Sequence, residues 1–235
     1  MKRNDHSQNG SSTANKEEYN RDYFTKHDAY SETMLETIVE LFRSRTVKRV
    51  LEVGAGTGAL LRALREKEFE VQGIDISPVA AEYGDIVTAS ATDIPFDDQS
   101  FDAVLAISIV EHLNPAEVDK FLGEARRVLR STGLLFIVTP NFNSPMRFMK
   151  GDQWFGYSDP THINFFTPKS LRSVLTRHDY DRITSRHKTR STNFEWGDAT
   201  IGRKIPKNAR VIINKTFISG PMAELRDSFW MAANK

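Results

Sequence analysis

Glu52-Val53-Gly54-Ala55-Gly56-Thr57-Gly58-Ala59 stands between an apolar run and a helical pattern. Glycines so spaced let a backbone turn tightly against a ligand, and the N–H groups that open the next helix point at whatever sits there. Asp75 follows Gly54 by 21 residues, at the end of a second apolar run, where a carboxylate can accept two hydrogen bonds from ribose hydroxyls. The glycines and this carboxylate together predict a nucleotide-type cofactor site. Two ligand chemistries remain open. Gly54-x-Gly56-x-x-Ala59 satisfies a dinucleotide fingerprint, in which a helix N-terminus holds a pyrophosphate, so NAD is one reading. Glu52, two residues before the first glycine, would repel a pyrophosphate and attract an ammonium, which favours a zwitterionic nucleoside without phosphate. Asp93, followed by Ile94 after a third short strand, is placed to accept from an adenine amino group with Ile94 against the ring.

A second set of residues suits an acceptor. If that acceptor carries a hydroxyl, a histidine within hydrogen-bond reach is the natural receiver of its proton. His112 follows Glu111 just past the fourth strand, and His162 lies among Trp154, Phe155, Tyr157, Phe165 and Phe166. The plainer readings are a loop-packing role for His112 and a structural hydrogen bond pinning the aromatic loop for His162. The aromatic run itself reads as an acceptor wall or as a roof over the sheet. Tyr19, Tyr23, Phe24 and Tyr30 read as a lid or as core anchors.

These groups need a scaffold that brings distant segments to one edge. Strands are expected at 47–53, 70–76, 86–90, 101–109 and 134–140, with strand-like stretches near 181–190 and 228–233. The run 101–109 is nearly continuous in apolar residues, as in a central strand covered on both faces. Met34, Leu35, Ile38, Val39, Leu41 and Phe42 recur at helical spacing after a cap at Asp28 or Ser31. Asn114, Pro115 and Glu117 open a helix carrying Val118, Phe121, Leu122, Ala125, Val128 and Leu129, which Gly133 is expected to close in the left-handed conformation. Thr167-Pro168 opens a short helix with Leu171, Val174 and Leu175. Pro78 and Gly84 limit the helix between the second and third strands to about two turns. This alternation predicts an α/β, doubly wound parallel sheet.

Composition bounds the rest. The 235 residues contain 39% hydrophobic and 27% charged side chains, as expected of a single globular domain. Lys plus Arg is 32 and Asp plus Glu is 31, so no global basic field exists to hold nucleic acid or an anionic membrane. Zero cysteines exclude disulfides and thiolate sites and point to a reducing, cytoplasmic setting. The dispersed histidines show no metal-ligand spacing, so no metal is expected. Residues 1–18 are read as a disordered leader without an export signal, and 19–235 as one domain with acceptor-side segments 142–167 and 191–225. Within the second segment Arg203, Lys204, Lys207, Arg210 and Lys215 occur with no acid between them. They read as a solvated face, or as a contact for an anionic acceptor or a lipid interface through 203–215.

The segments VLEVGAGTG (50–58), GIDIS (73–77), ATDIPFDDQSFDAVLAISIVEHL (91–113) and GLLFIVTPN (133–141) resemble, in order and spacing, the motifs of class I S-adenosylmethionine-dependent methyltransferases. DPTHINFFTPKSL (159–171) is similar to a segment of the branch that includes ubiquinone-type and natural-product methyltransferases. The resemblance implies a Rossmann-like seven-stranded sheet, mostly parallel with an antiparallel last strand, and S-adenosyl-L-methionine as cofactor. It also implies a small-molecule acceptor, most plausibly methylated at oxygen, with nitrogen or carbon as alternatives. On it, Gly54, Gly56 and Gly58 lie along the methionine part and Glu52 near the amino group. Asp75 binds the ribose, Ile76 flanks the adenine and Asp93 its amino group, while Ile107 and Ser108 border the cofactor and the entry to the acceptor site. A dehydrogenase is disfavoured by Glu52 and because none of the six tyrosines has a lysine four residues later. A non-catalytic binding protein is the remaining alternative.

Overall fold

The structure, a computed structural model, describes residues 19–27, 30–189, 206–220 and 222–235. Its strands are β1 (Arg49–Val53), β2 (Glu70–Asp75), β3 (Ile86–Thr88), β4 (Phe101–Ile107), β5 (Leu129–Pro140), β6 (Asp181–Thr184) and β7 (Ser228–Asn234). They form one seven-stranded sheet in the order β3-β2-β1-β4-β5-β7-β6. The pairs β1–β2, β1–β4, β2–β3 and β4–β5 are parallel, and β7 runs antiparallel to both β5 and β6. The Rossmann-like sheet with an antiparallel last strand is therefore present. Strand order reverses between β1 and β4, so a crevice opens beyond their carboxyl ends, where open α/β sheets bind ligands.

The continuous apolar runs have a simple cause. Val50, Leu105 and Phe136 face one core layer, with α2 (Glu32–Ser44) and α3 (Ala59–Glu66). Leu51, Val104 and Leu135 face the other, with α4 (Pro115–Val128) and α6 (Pro168–Arg177). Successive residues point to opposite faces, so a strand covered on both sides must be apolar throughout. Helix starts follow the expected caps. The Ser31 hydroxyl accepts from the Met34 N–H at 3.0 Å, and Asn114 and Glu117 complete a reciprocal box at the start of α4.

Several boundaries differ from the sequence expectation. Gly133 does not close α4. The helix stops at Val128 because Leu129 turns extended, and Gly133 lies inside β5. Strand β4 ends at Ile107 rather than 109, since Ser108 takes a positive φ of 54° and a 3-10 turn follows at Val110–His112. The segment between β2 and β3 is one 3-10 turn, Ala80–Tyr83, shorter than the helix allowed for. Past β6 the strand expected to 190 is lost after Thr184.

The remaining helices are α1 (Arg21–His27), α5 (Pro145–Lys150) and α7 (Lys207–Asn214). The described part of the 191–225 connection is thus largely helical, with a π turn at Lys215–Ser219 after α7. The leader 1–18 and the basic residues Arg203 and Lys204 lie outside the described residues. Among the described residues no helix is long and apolar enough to cross a membrane.

Packing is close where β2 passes under the glycine turn. A Cβ on Gly73 would lie 2.9 Å from the Ala55 Cβ and 2.5 Å from Leu61 Cδ1. Gly73→Ala should therefore lower stability by about 1–3 kcal/mol, read as a shifted urea midpoint at unchanged slope. An unshifted midpoint would contradict this close approach.

Candidate active site

The turn after β1 is built by three glycines, Gly54, Gly56 and Gly58, at φ values of 73°, 54° and 74°. L side chains rarely adopt that region. The N–H groups of Gly54 and Ala55 both donate to the Ile74 carbonyl, at 2.8 and 3.0 Å, which folds the turn over the end of β2. Asp75 locks it there. Its Oδ2 accepts from the Gly56 N–H at 2.9 Å and its Oδ1 from the Ser77 N–H at 2.8 Å. Burial raises the Asp75 carboxyl above its ordinary range, against the lowering effect of these two bonds.

A cavity of about 330 Å³ opens between this turn and the end of β4. Of the expected cofactor residues, Glu52, Gly54, Gly56, Asp75, Ile76, Ile107 and Ser108 are on its wall. Gly58, Asp93 and Ile94 are not. Gly58 opens α3, Asp93 is exposed, and the Ile94 side chain is spent in the core. The cause is a clamp from α4. Glu124 accepts from the Ile94 N–H at 2.8 Å, and Arg127 donates to the carbonyls of Ile94 and Phe96, each at 2.8 Å. In place of Asp93 and Ile94, the wall there is Ala89, Ser90 and Ala91.

Tyr19, Tyr23, Phe24 and Tyr30 line the cavity and also anchor the core. The Tyr19 carbonyl accepts from the Ser77 hydroxyl at 2.6 Å, and the Tyr23 hydroxyl donates to Asp159 Oδ2 at 3.3 Å. The same residues thus anchor the core and form part of the cavity wall.

The far end is held by the aromatic loop. Trp154 is fully buried, its indole N–H donates to Asp227 Oδ1 at 2.8 Å, and its ring meets Tyr157 edge-on at 5.1 Å. Tyr157 in turn meets Phe165 at 5.4 Å. Only Phe155 of the four aromatics expected in the acceptor wall lines the cavity; Trp154, Tyr157 and Phe165 are corrected to a packing cluster behind it. An indole that is enclosed on all sides has no surface left for a substrate.

The N–H groups of Ile163 and Asn164 both donate to the Glu111 carbonyl, at 2.9 and 3.0 Å, which draws His162 to His112 with ring centroids 4.8 Å apart. His162 Nδ1 donates to the Gly156 carbonyl at 2.8 Å, the structural bond weighed against catalysis from sequence, yet the ring still lines the cavity beside His112. A chain of bonds also orients His112. Thr161 gives its hydroxyl proton to Asp159 Oδ1, so the 2.8 Å contact between Thr161 Oγ1 and His112 Nδ1 has the imidazole as donor. In its neutral form each ring then carries its lone pair on Nε2. Burial pushes Asp159 up, but hydrogen bonds from Thr161 and the charges of His162 and His112 outweigh it and hold the carboxyl low.

Glu111 lies fully buried beside the two rings. Its Oε2 accepts from the Thr139 hydroxyl at 3.0 Å, while burial drives its pKa up to about 7. One ligand-type atom from each of Glu111, His112 and His162 falls within 4.8 Å of the others. Sequence spacing showed no such cluster, because two members are adjacent and the third is fifty positions away. Glu111, Thr139, Asp159, Thr161 and Asp227 were not singled out for roles from sequence. Glu111 beside His112 was the one visible signal.

A family model described as a methyltransferase domain matches residues 24–185. The chain is similar to a demethylmenaquinone methyltransferase of Tropheryma whipplei, with 37% identity over 111 residues, covering 43% of this chain and 45% of that protein. It is similar to a ubiquinone biosynthesis O-methyltransferase of Mesorhizobium japonicum, with 32% identity over 104 residues, covering 40% of this chain and 41% of that protein. The chain thus spans less than half the length of these relatives. Among solved structures it is similar to a SAM-dependent methyltransferase from Archaeoglobus fulgidus, with a TM-score of 0.61 and 20% identity, covering 91% of this chain and 98% of that one.

The aromatic loop offers a direct test of its packing. A Cβ on Gly156 would lie 2.2 Å from the Trp154 ring, which has nowhere to move. Gly156→Ala should cost about 1–3 kcal/mol and raise tryptophan fluorescence quenching by iodide. Unchanged stability and quenching would contradict the enclosed indole.

Proposed function

The chain belongs to the methyltransferase-domain family, and on that premise we propose that it transfers a methyl group from S-adenosylmethionine to an oxygen of a small-molecule acceptor. One observation carries this reading. The cavity wall holds the acidic side chains Glu52, Asp75 and Asp159, and among the described residues no Lys or Arg lines it. Such a wall favours a ligand with an ammonium and a sulfonium, and disfavours a pyrophosphate. S-Adenosylmethionine, when bound, supplies an electrophilic methyl carbon whose sulfur keeps the electron pair of the broken bond.

The residues divide the work along the cavity. Glu52, buried at the tip of β1, receives the amino group, and Gly54 and Gly56 let the backbone approach the methionine part. Asp75 holds the ribose hydroxyls through lone pairs beyond those used by Gly56 and Ser77, and Ile76 with Ala89–Ala91 flanks the base. Ile107 and Ser108 border the transfer zone. Phe155, His112 and His162 face the acceptor, whose oxygen gives up its proton toward the end where Glu111 and the two imidazoles meet. Alignment and exclusion of water by Tyr19, Tyr23 and Phe24 supply most of the acceleration. The acceptor is a small molecule; oxygen is favoured because two oriented histidines at that end suit a hydroxyl. The relative from Mesorhizobium japonicum, named as an O-methyltransferase, supports the same choice of atom.

Calorimetric titration should give binding of S-adenosylmethionine and S-adenosylhomocysteine and none of NADH. Asp75→Ala should weaken the first two by roughly 10–100-fold, the effect of losing charge-assisted hydrogen bonds of about 1.5–3 kcal/mol. Binding of NADH alone would replace this reading with hydride transfer. Once an acceptor is in hand, His112→Ala and His162→Ala should each lower kcat by about 100-fold or more with S-adenosylhomocysteine affinity unchanged. Undiminished kcat in both would leave alignment alone as the mechanism.

A further inference from the structure

We propose that Glu111, His112 and His162 hold a divalent transition-metal cation at the acceptor end of the cavity. Four observations converge on it. The first is the donor set. Two imidazoles and one carboxylate, each with one ligand-type atom within 4.8 Å of the others, suit zinc and its first-row neighbours better than magnesium or calcium, which prefer oxygen alone.

The second is tautomer control. A metal-binding histidine usually donates its other ring N–H to a carbonyl or carboxylate, which aims the remaining lone pair at the ion. His162 Nδ1 donates to the Gly156 carbonyl, and His112 Nδ1 donates to Thr161, which is itself bonded to the Asp159 carboxylate. Each imidazole therefore has its Nε2 set as the ligating atom. The third is Glu111. Its side chain is fully buried, Oε2 is fixed by the Thr139 hydroxyl, and the Ser108 hydroxyl also lies against the carboxylate. A carboxylate shut away from water, with hydroxyl donors alone beside it, needs a proton or a cation to offset its charge.

The fourth is the placement of open positions. Three protein ligands leave coordination sites free, and His112 and His162 are on the cavity wall beside Ser108 and Asp159. This assignment rests on the methyl-transfer reading for its role: an acceptor hydroxyl at the cation loses its proton to solvent more easily, and the histidines then serve as ligands rather than as bases. The cation also fixes the oxygen's position relative to the cofactor end.

The experiment is a titration of chelator-treated protein with zinc by calorimetry and with cobalt by visible absorption. One equivalent should bind per chain, with cobalt giving ligand-field bands between nitrogen and oxygen donors. Binding should fall at least tenfold in Glu111→Gln and in His162→Ala. It should fall about tenfold in Thr161→Val, which keeps all three ligands and removes only the group that orients His112. Circular dichroism and an S-adenosylhomocysteine titration accompany each variant, and the half-buried loop position of His162 makes its variant the one that tests binding apart from folding. Absence of stoichiometric binding overturns the proposal, as does binding that persists in Glu111→Gln and His162→Ala. If the wild-type protein binds the cation and not S-adenosylhomocysteine, the methyl-transfer reading fails and the metal site stands.

Discussion

Parallel pairing of β1 with both β2 and β4 sends three chain segments out of the sheet at one edge. Everything polar in the cavity depends on that. Glu52 rides at the tip of β1, Asp75 at the end of β2 and Ser108 just past β4, so the register alone places a carboxylate, a second carboxylate and the entry to the acceptor within one crevice. Because the strands are enclosed on both faces, their interiors are unavailable for chemistry, and reactive groups can occur only where the strands stop. Asp75 fixes the glycine turn through the Gly56 N–H, and the proposed reading gives its spare lone pairs to the ligand. Turn conformation and ligand recognition are coupled through one side chain.

The acceptor half has no sheet register to place it, and hydrogen bonds from a loop do so instead. Asp227 accepts from both the Trp154 indole and the Ser144 hydroxyl, at 2.8 and 2.7 Å, which fastens the loop to the start of β7. Asn141 donates to the carbonyls of Glu224 and Arg226, both at 2.8 Å, from the same edge. The Glu111 carbonyl then takes two amide donors from the loop's other end. With both ends tied, the residues between them can be aimed without a regular element. The left-handed Ser108 belongs to this arrangement as well, since strain of that kind persists only where surrounding structure holds it, and here it turns the chain from β4 toward Glu111.

The sheet and the glycine turn were legible in the sequence because both depend on local rules. Apolar runs, caps at Ser31 and Asn114 and the glycine turn are each signals within a few residues, and Asp75 comes 21 residues on at the end of the next apolar run. Boundaries misread at Gly133 and Ser108 come from the same source: a glycine after a helix suggests a left-handed stop, but the extended turn at Leu129 preempted it. Asp93 and Ile94 were misplaced because the clamp formed by Glu124 and Arg127 spans some thirty positions. The acceptor end was least legible of all. Trp154 reads from sequence as a ring available to a ligand, and only the packing of Gly156 and the bond to Asp227 show that it is enclosed. Likewise the partners of His112 and His162 are tertiary, so no spacing rule could have joined them.

Charge links the two halves. Glu52, Asp75 and Asp159 line the cavity with no Lys or Arg among the described lining residues, and Glu111 lies buried just behind its far end. Carboxylates concentrated in a low-dielectric recess repel one another unless protons or cations offset them. On the proposed arrangement the offset is an ammonium at the near end, a sulfonium in the middle, and at the far end the cation proposed between Glu111 and the two imidazoles. Transfer of the methyl group leaves a neutral sulfur, so the middle of the cavity loses its countercharge while both ends retain theirs. The interaction that weakens is thus the one nearest the reacting atoms, which favours departure of the demethylated product without any change in how its amino group or ribose is held.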